Sequence, residues 1–380
     1  MMQQRLRAGI LGGGFMAEVH ARAIRAAGSE VVLIASSSPD SSARAAARFG
    51  IQGIAPSARA LIESDAVDVI HVCTPNAFHS EQAGLALLAG KPVVCEKPLA
   101  TLVSDAEELV SRARISRTPT AVPFIYRYYP AVREIRSRIS DGSAGEMHLL
   151  HGSYLQDWLA LPTATNWRVD ESVGGSSRAF ADIGVHWCDL MEFVTGHRIT
   201  RLVSALSRSH PERGATEDAA SILFETDRGA SGTLIASQIT HGRKNRLHFS
   251  FDGELESYRW NQERPGKYTA SNQSSESTIY SGSAALASLS SQSLAHLPAG
   301  HPRGYQDAFN AFTADAYASF QGQSVEGLPT FVDGLRAAII TEAVLTSAQS
   351  GRWVDVASPT DEIPAVPHNS RVVLDAAQTQ

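Results

Sequence analysis

The sequence predicts an α/β unit built on a parallel sheet, followed by an α+β unit. Up to about residue 125, short apolar runs alternate with segments of helical spacing, as in right-handed βαβ crossovers. Beyond that point, several β-prone runs follow one another and are separated by Asp, Gly and Asn turn signals, which is typical of antiparallel hairpins. The composition, 43% hydrophobic and 19% charged over 380 residues, is that of a globular chain of two or three domains.

The elements of the first unit are read from apolar runs and from the glycines that end helices. Gly28, Gly50 and Gly90 each follow a helical segment, at the position where a C′ glycine belongs. Apolar, β-branched runs between these helices predict buried strands. The predicted strands are 6–11, 31–35, 67–73, 92–95 and 121–125, and the predicted helices are 15–27, 40–49, 79–89 and 105–113.

The second unit is read in the same way. Its predicted helices are 131–139, 180–194, 305–320 and 331–350, and its predicted strands are 147–154, 199–207, 219–225, 230–238 and 246–251. The serine-rich segment 269–294 predicts a mobile loop. The predicted domains are 1–125 and 126–357, and a C-terminal arm at 358–380 follows them.

Charge and cysteine content exclude several classes of protein. The 33 basic and 39 acidic residues give a net charge of -6, which argues against a nucleic-acid partner. The three cysteines lack CxxC spacing, so neither a disulfide framework nor a cysteine-rich zinc site is expected, and a reducing cytoplasm fits best. No apolar run is long enough to span a bilayer, and the N-terminal residues lack the apolar core of a signal peptide.

A glycine-rich turn lies between the first strand and the first helix. The segment 12–17 reads GGGFMA and matches G-x-G-x-x-G/A, in which glycines let the backbone approach a pyrophosphate at a helix N-terminus. This position favours dinucleotide binding, with Gly12, Gly14, Phe15 and Met16 at the cofactor. A purely structural turn and a methyltransferase-type nucleoside site are the alternatives.

The end of the second predicted strand faces the ribose in such a fold. Ser36, Ser37 and Ser38 stand there in place of an acidic residue, and serines bind either a 2′-hydroxyl or a 2′-phosphate. Arg44, about one turn into the next helix, is the nearest cation. These residues leave the choice between NAD and NADP open.

Further along the sequence, Lys97, Asp182 and His186 are candidates for acid–base chemistry. Lys97 directly follows a predicted strand, and ligands bind outside the carboxyl ends of parallel strands. Asp182 and His186 are spaced i and i+4, on one face of a predicted helix. Each has a plainer interpretation, as a solvated lysine or as a surface pair. Half a metal site is a third reading of the pair, but no further ligands stand out, so no metal is predicted.

Together these motifs resemble the glucose–fructose oxidoreductase/inositol dehydrogenase (Gfo/Idh/MocA) family. The resemblance covers nearly the whole chain and rests on GGGFMA with His20 after it, TPNAFH at 74–79, EKP at 96–98 and GGSSRAFADIGVH at 174–186. It implies a Rossmann domain followed by a domain with a large, mostly antiparallel sheet. It also implies that Lys97, Asp182 and His186 are catalytic. The cofactor-side positions that it implies are Thr74, Pro75, Asn76, His79, Glu96, Trp167 and Arg168.

Particular stretches, SYLQDWL, NWRVDE and GHPRGYQDAF, are similar to the branch that contains levoglucosan dehydrogenase and glucoside 3-dehydrogenase. That likeness implies oxidation of a pyranose or anhydrosugar hydroxyl at C3, with NAD(H) favoured and NADP(H) possible, in a homodimer or homotetramer. Inositol dehydrogenase, anhydrosugar reductase, NAD-dependent glycosidase and non-catalytic dinucleotide-binding regulator are the competing hypotheses. Polar and aromatic residues suited to a sugar are Tyr126, Arg127, Tyr154, Gln156, Trp167 and Arg168, although such aromatics are as often part of a core.

Overall fold

The N-terminal part of the chain forms a parallel sheet with helices on both faces. The computed structural model describes residues 5–282, 286–298, 300–301 and 303–359. The sheet has six strands in the order β3-β2-β1-β4-β5-β6, and every pair is parallel. The strands are β1 (Arg7–Leu11), β2 (Glu30–Ala35), β3 (Gly53–Ile54), β4 (Val69–Val72), β5 (Val93–Cys95) and β6 (Thr120–Ala121). The helices are α1 (Phe15–Ala26), α2 (Pro39–Phe49), α3 (Ala58–Ile62), α4 (His79–Leu88) and α5 (Val103–Ser116).

The strand order explains where a ligand can bind. β1 lies between β2 and β4, so the chain crosses to one side of β1 first and to the other side afterwards. The strand order therefore reverses beside β1, and a crevice opens there at the carboxyl ends of the strands. All four residues of β4 are buried, as expected of a strand covered on both faces.

The second part forms a nine-stranded sheet in the order β14-β13-β12-β11-β7-β10-β9-β8-β15. Its pairs are antiparallel except for β7 with β10. Its strands are β7 (Met147–Leu155), β8 (Ile199–Ser207), β9 (Ala219–Thr226), β10 (Ser231–Ser237), β11 (Arg246–Gly253), β12 (Ser257–Asn261), β13 (Lys267–Ser271), β14 (Glu276–Tyr280) and β15 (Val354–Asp355). The two sheets confirm the predicted fold class.

Helices cover one face of this sheet and connect it to the first unit. They are α6 (Pro130–Ser140), α7 (Glu171–Gly174), α8 (Val185–Thr195), α9 (Leu289–Gln292), α10 (Tyr305–Phe320) and α11 (Phe331–Ser350). α10 packs on α1, and α11 packs on both α5 and β8. The C-terminal helices therefore hold the two sheets together. No helix of the described ranges has the length and apolarity needed to cross a membrane.

Three expectations from the sequence differ from the structure. The serine-rich segment is not a loop throughout, because β13, β14 and α9 lie within it or overlap it. The predicted strand 121–125 is reduced to the end of β6, and a 3₁₀ turn at Ile125–Tyr128 follows. β3, α3 and β12 were not expected. Residues 360–380 of the predicted arm lie outside the described residues.

Candidate active site

The glycine-rich turn has two glycines that are required for different reasons. Gly12 has φ +111°, and a Cβ there would lie 2.5 Å from the carbonyl oxygen of Cys73. Gly14 has an ordinary extended backbone, and a Cβ there would meet nothing within 4 Å. The protein itself therefore excludes a side chain at Gly12, whereas the space beside Gly14 is open. No side chain caps the N-terminus of α1, so its N–H groups are free to bind an anion.

A first cavity of about 770 Å³ extends from this turn along the carboxyl ends of the parallel strands. The open space beside Gly14, the uncapped helix and the size of the cavity fit a dinucleotide. Most of the predicted cofactor residues line the cavity. They are Gly12, Gly14, Phe15, Met16, Ser36, Ser37, Thr74, Pro75, Asn76, His79, Glu96, Lys97, Trp167 and Arg168.

Two predicted cofactor residues are not brought to this cavity. Ser38 does not line it, because its hydroxyl caps α2 by accepting a hydrogen bond from the N–H of Ser41 at 3.1 Å. Arg44 lies on an exposed part of α2 and does not line it either. In their place Ser41 reaches the cavity and pairs with the hydroxyl of Ser36 at 2.9 Å. The lining at the end of β2 consists of uncharged hydroxyl groups.

A second cavity of about 550 Å³ meets the first. The two share the lining residues Phe15, Met16, Glu96, Lys97 and Arg168, which we call the junction. The remaining lining residues of the second cavity are Tyr126, Tyr154, Gln156, Trp158, Asp182, Ile183, His186, Asn245 and Tyr305. Of the residues expected to bind a sugar, Trp167 lines the first cavity only.

The expectation that Arg127 binds a sugar is corrected by the structure. Arg127 lines neither cavity. Its buried guanidinium is ion-paired with Asp189 and, at 2.7 Å, with Asp333. A cation buried in the protein needs such partners, and here they hold it away from the second cavity.

Lys97 and Asp182 form an ion pair at the border of the second cavity. Lys97 Nζ lies 2.6 Å from Oδ1 and 2.9 Å from the backbone oxygen of Asp182. Arg168 Nε donates to the same Oδ1 at 3.2 Å, and Gln238 Nε2 donates to Oδ2 at 2.7 Å. Burial alone would raise the pKa of Asp182, but the charges of Lys97 and Arg168 outweigh it and hold the pKa well below its usual range. Asp182 is therefore an ionised group that anchors the lysine.

His186 is a buried, neutral imidazole. Burial, together with the nearby charge of Lys97, lowers its pKa from 6.5 to about 3. The ring of Tyr126 packs edge-on against it at 5.2 Å between centroids, and that of Phe124 at 5.7 Å. Nδ1 is buried and has no hydrogen-bond partner among the described residues, which leaves Nε2 as the nitrogen that can serve a ligand. The neutral imidazole is the form of histidine that can accept a proton.

The segment that carries Asp182 and His186 is not the regular helix that the sequence predicts. Phe180–Gly184 forms a π-helical turn that leads directly into α8. A Cβ at Gly184 would lie 2.3 Å from the ring of Phe180, so the turn closes only with glycine there. The Glu217 carboxylate accepts hydrogen bonds from Ser177 Oγ at 2.8 Å and from the N–H of Phe180 at 2.9 Å. These contacts fix the start of the turn that brings Asp182 to Lys97.

Two polar residues that the sequence did not single out contribute to the site. Asn245 Oδ1 accepts hydrogen bonds from the Tyr154 hydroxyl at 2.7 Å and from Gln156 Nε2 at 2.8 Å. Gln238 holds Asp182 through the hydrogen bond to Oδ2. Both residues lie where β10 and β11 flank the end of β7. The pairing of these strands places them at the site, and no single segment reveals that pairing.

Three further expectations concerned Asn76, His79 and metal ligands. Asn76 Nδ2 donates to the carbonyl oxygen of Gly174 at 2.8 Å, which ties the first cavity to α7. The ring nitrogens of His79 lie 2.7 Å and 2.8 Å from the carbonyl oxygens of Pro98 and Thr74, so His79 bridges two loops beneath the cavity. Within the described residues, no group of three or more His, Cys, Asp or Glu side chains is arranged to hold a metal ion.

Two family models match the chain. Residues 6–122 match the oxidoreductase family with an NAD-binding Rossmann fold. Residues 132–259 match the GFO/IDH/MocA C-terminal domain. Together the two matches cover more than half of the 380 residues and correspond to the two sheets described above.

Individual proteins resemble the chain over most of its length. It is 30% identical to levoglucosan dehydrogenase of Pseudarthrobacter phenanthrenivorans, over 93% of this chain and 98% of that protein. The structure of a levoglucosan dehydrogenase in complex with NADH and levoglucosan superposes with a TM-score of 0.86, at 30% identity over 93% of this chain and 100% of that one. D-glucoside 3-dehydrogenase of Escherichia coli is 28% identical over 54% of this chain and 59% of that protein.

Proposed function

Because the chain belongs to the GFO/IDH/MocA family of oxidoreductases, we propose that it oxidises a secondary hydroxyl of a pyranose or anhydrosugar, at C3, with NAD as the preferred cofactor. The observation that carries this proposal is the meeting of the two cavities at Lys97. One cavity has the glycine-rich turn of a dinucleotide site. The other contains an ammonium group, a carboxylate and a neutral imidazole. The reaction is reversible, since the same groups serve the reduction of the ketone.

His186 is the base in this scheme. It takes the proton of the reacting hydroxyl on Nε2, because its Nδ1 is buried. Because burial and the charge of Lys97 lower its pKa, it is neutral at physiological pH, which is the form that can take up a proton. In the reverse direction the same nitrogen returns the proton to the oxygen.

Lys97 stabilises the negative charge that develops on the oxygen as the proton leaves. Its ammonium group, fixed by Oδ1 and the backbone oxygen of Asp182, donates a hydrogen bond to the reacting oxygen. Arg168 and Gln238 in turn hold the Asp182 carboxylate, so the protein itself fixes the position of the ammonium group. When bound, the nicotinamide ring supplies the hydride acceptor.

The remaining lining of the second cavity suits a neutral, hydroxyl-rich ring. Tyr126, Tyr154, Gln156 and Asn245 form a connected set of hydroxyl and amide groups. Trp158 Nε1 donates to Gln156 Oε1 at 2.7 Å, which places an aromatic side chain beside these polar groups. Sugars are bound by this combination of polar groups and apolar faces. A neutral substrate also agrees with the absence of a basic surplus in the net charge of -6.

The choice of NAD is supported by the residues at the end of β2. Ser36, Ser37 and Ser41 offer hydroxyl groups to a ribose, and no cation lines the first cavity beside them in the described part of the chain. Arg48 lies at the glycine-rich turn, where it donates to the carbonyl oxygen of Gly13 at 2.9 Å, but its side chain does not line the cavity.

The test is a panel of substrates and both cofactors with the unmutated protein. Initial rates of NADH or NADPH formation are measured with levoglucosan, glucosides, free pyranoses and inositols, and the products are identified by NMR. We expect the highest kcat/KM with NAD and a pyranose or anhydrosugar, and a 3-keto product. Highest kcat/KM with an inositol would contradict the proposed substrate.

The same panel distinguishes a dehydrogenase from a glycosidase and from a regulator. An NAD-dependent glycosidase would release the aglycone of a glucoside with no net formation of NADH. A non-catalytic regulator would bind NAD and turn over nothing. Either result would contradict the proposed dehydrogenase activity.

A further inference from the structure

A chain of buried hydrogen bonds leads away from the junction into the protein. Glu96 Oε1 lies 3.0 Å from His20 Nε2, and His20 Nδ1 lies 2.7 Å from His71 Nδ1. His71 Nε2 lies 2.8 Å from the hydroxyl of Tyr317. Both histidines are fully buried. These hydrogen bonds connect the loop after β5 with α1, β4 and α10, and of the four residues Glu96 alone lines the two cavities of the site.

Only one arrangement of protons satisfies this chain with an ionised Glu96 and two neutral histidines. Tyr317 donates its O–H to His71 Nε2, and His71 Nδ1–H then donates to His20 Nδ1. His20 Nε2–H in turn donates to Glu96. The reverse direction, with every donor and acceptor exchanged, requires an additional proton on Glu96. Tyr317 therefore favours the ionised form of a carboxylate at the far end of the chain.

Further contacts also favour the charge on Glu96. Its second oxygen accepts a hydrogen bond from the N–H of Lys97 at 3.2 Å. Burial alone would raise its pKa, but the hydrogen bond from His20 and the charge of Lys97 outweigh it and lower the pKa. Other titratable groups near Glu96 are His79 on α4, Cys73 and Cys95 at strand ends, Tyr305 on α10 and His186 on α8.

We propose that His20, His71 and Tyr317 are positioning residues that fix the Glu96 carboxylate as a negative charge at the junction, and that this charge favours binding of the oxidised over the reduced dinucleotide. The inference rests on the proposed function, because that function places the reactive ring of the dinucleotide where the two cavities meet. The oxidised ring carries a positive charge and the reduced ring is neutral. A fixed carboxylate nearby therefore stabilises the oxidised form selectively.

A purely structural role for this chain of hydrogen bonds makes a different prediction. The chain also ties α10 to the first sheet, so its loss could simply distort the first cavity. Distortion would weaken every ligand of that cavity, including ADP-ribose, which lacks the nicotinamide ring. A charge effect would change the ratio of the dissociation constants for NAD⁺ and NADH and leave the affinity for ADP-ribose unchanged.

The experiment measures Kd for NAD⁺, NADH and ADP-ribose by calorimetry with the unmutated protein and with Glu96→Gln, which keeps the shape and removes the charge. We expect the ratio Kd(NAD⁺)/Kd(NADH) to rise by roughly 5- to 50-fold in Glu96→Gln, at an unchanged Kd for ADP-ribose. An unchanged ratio would overturn the inference. Equal weakening of all three ligands would also overturn it. Failure of the unmutated protein to bind any of the three would instead refute the proposed function.

A second variant tests the chain of hydrogen bonds rather than the carboxylate, and it also serves if Glu96→Gln does not fold. Tyr317→Phe removes the terminal donor without touching either cavity, so the reverse arrangement with a protonated Glu96 becomes more favourable. We expect the same ratio to rise by about two- to fivefold. Tyr268→Phe is the matched control, because that buried tyrosine lies on β13 and its hydroxyl has no hydrogen-bond partner among the residues that the structure describes. An effect of Tyr317→Phe no larger than that of the control would refute the role of the chain.

Discussion

His186 combines two properties that an exposed histidine lacks. It is buried among aromatic rings, so its charged form is disfavoured, and it lies beside Lys97, which disfavours that form further. The same lysine would stabilise an alkoxide. One cation thus keeps the base neutral before the reaction and stabilises the negative charge formed during it.

This arrangement predicts the pH dependence of the reaction. A base acts in its deprotonated form, and the pKa of His186 is lowered from 6.5 to about 3 in the folded protein. The acidic limb of kcat/KM should therefore be displaced to lower pH, with no inflection near pH 6.5 as an unperturbed histidine would give. The measurement is kcat/KM from pH 8 down to pH 5, with the activity of each sample checked after return to neutral pH. An inflection near 6.5 would contradict the assigned state of His186.

The two glycines of the turn provide a second test at this scale. Gly14→Val should leave Tm nearly unchanged, since nothing in the protein lies within 4 Å of a Cβ there, but weaken NAD binding at least roughly tenfold by filling the space beside the backbone. Gly12→Ala should lower stability by at least about 2 kcal/mol, because of its positive φ and the contact with Cys73. Calorimetric Kd values and thermal unfolding of both variants check this. Equal loss of stability in the two would refute the distinction.

At the scale of elements, the π-helical turn at Phe180–Gly184 determines where Asp182 lies. We predict that Glu217→Gln lowers stability by about 2–3 kcal/mol. Oε1 accepts from Ser177 and from the N–H groups of Arg178 and Phe180, and a neutral amide oxygen is a weaker acceptor for these buried donors than a carboxylate oxygen. It should lower kcat more than it raises KM, since Asp182 and Lys97 lose their alignment. Denaturant unfolding and steady-state kinetics measure both effects.

Glu225→Gln is the control for this prediction. Glu225 lies on β9, the strand that begins just after Glu217. Its side chain is 48% exposed and, within the described residues, is ion-paired with Arg201 at 3.5 Å. Its loss should change stability by no more than about 0.5 kcal/mol. If Glu217→Gln resembled this control in both stability and kcat, the anchoring role of Glu217 would be wrong.

The elements that sequence predicts well are those with strong apolar patterns. β1, β2, β4 and β5 are visible in the sequence because they are apolar runs that are largely buried in the sheet. β14 is an edge strand and β13 is its neighbour, and their sequences, ESTIY and KYTAS, carry little apolar signal. The π-helical turn is also invisible, because its sequence has the same apolar spacing as a regular helix.

The residues of the site likewise divide into those that short motifs reveal and those that they do not. Lys97, Asp182 and His186 are recognisable from short motifs, whereas Gln238 and Asn245 reach the site only through the pairing of β7 with β10 and β11. Arg127 has the chemistry of a sugar ligand but is held by two carboxylates that come from distant parts of the chain. Contacts between residues far apart in sequence decide these cases.

In the whole molecule, no helix of the described residues packs on one face of the large sheet, and this face carries exposed apolar side chains. Leu149, Leu223 and Ile235 lie on this face of β7, β9 and β10, beside a shallow cavity of about 660 Å³. We propose that a second copy of the chain covers this face, because a patch of this kind is costly to leave in water. The opposite face of the sheet is buried and packs on α8.

The proposed interface predicts a change in oligomeric state. Ile235→Lys should convert a dimer or tetramer into a smaller species in sedimentation velocity at micromolar concentration. Leu88→Lys, at the 70% exposed end of α4, should leave the oligomer unchanged. A monomeric unmutated protein, or an unaltered oligomer in Ile235→Lys, would contradict the interface.

We propose that Lys97 and His186 carry out the chemistry where the two cavities meet. Single-turnover formation of NADH, with saturating NAD and the best sugar of the panel, tests this in Lys97→Met, His186→Gln and the unmutated protein. We predict that each substitution slows the turnover by about 100- to 1,000-fold while Kd for NAD changes less than about threefold. Turnover at the unmutated rate in either variant, with the cofactor bound, would contradict the assignment.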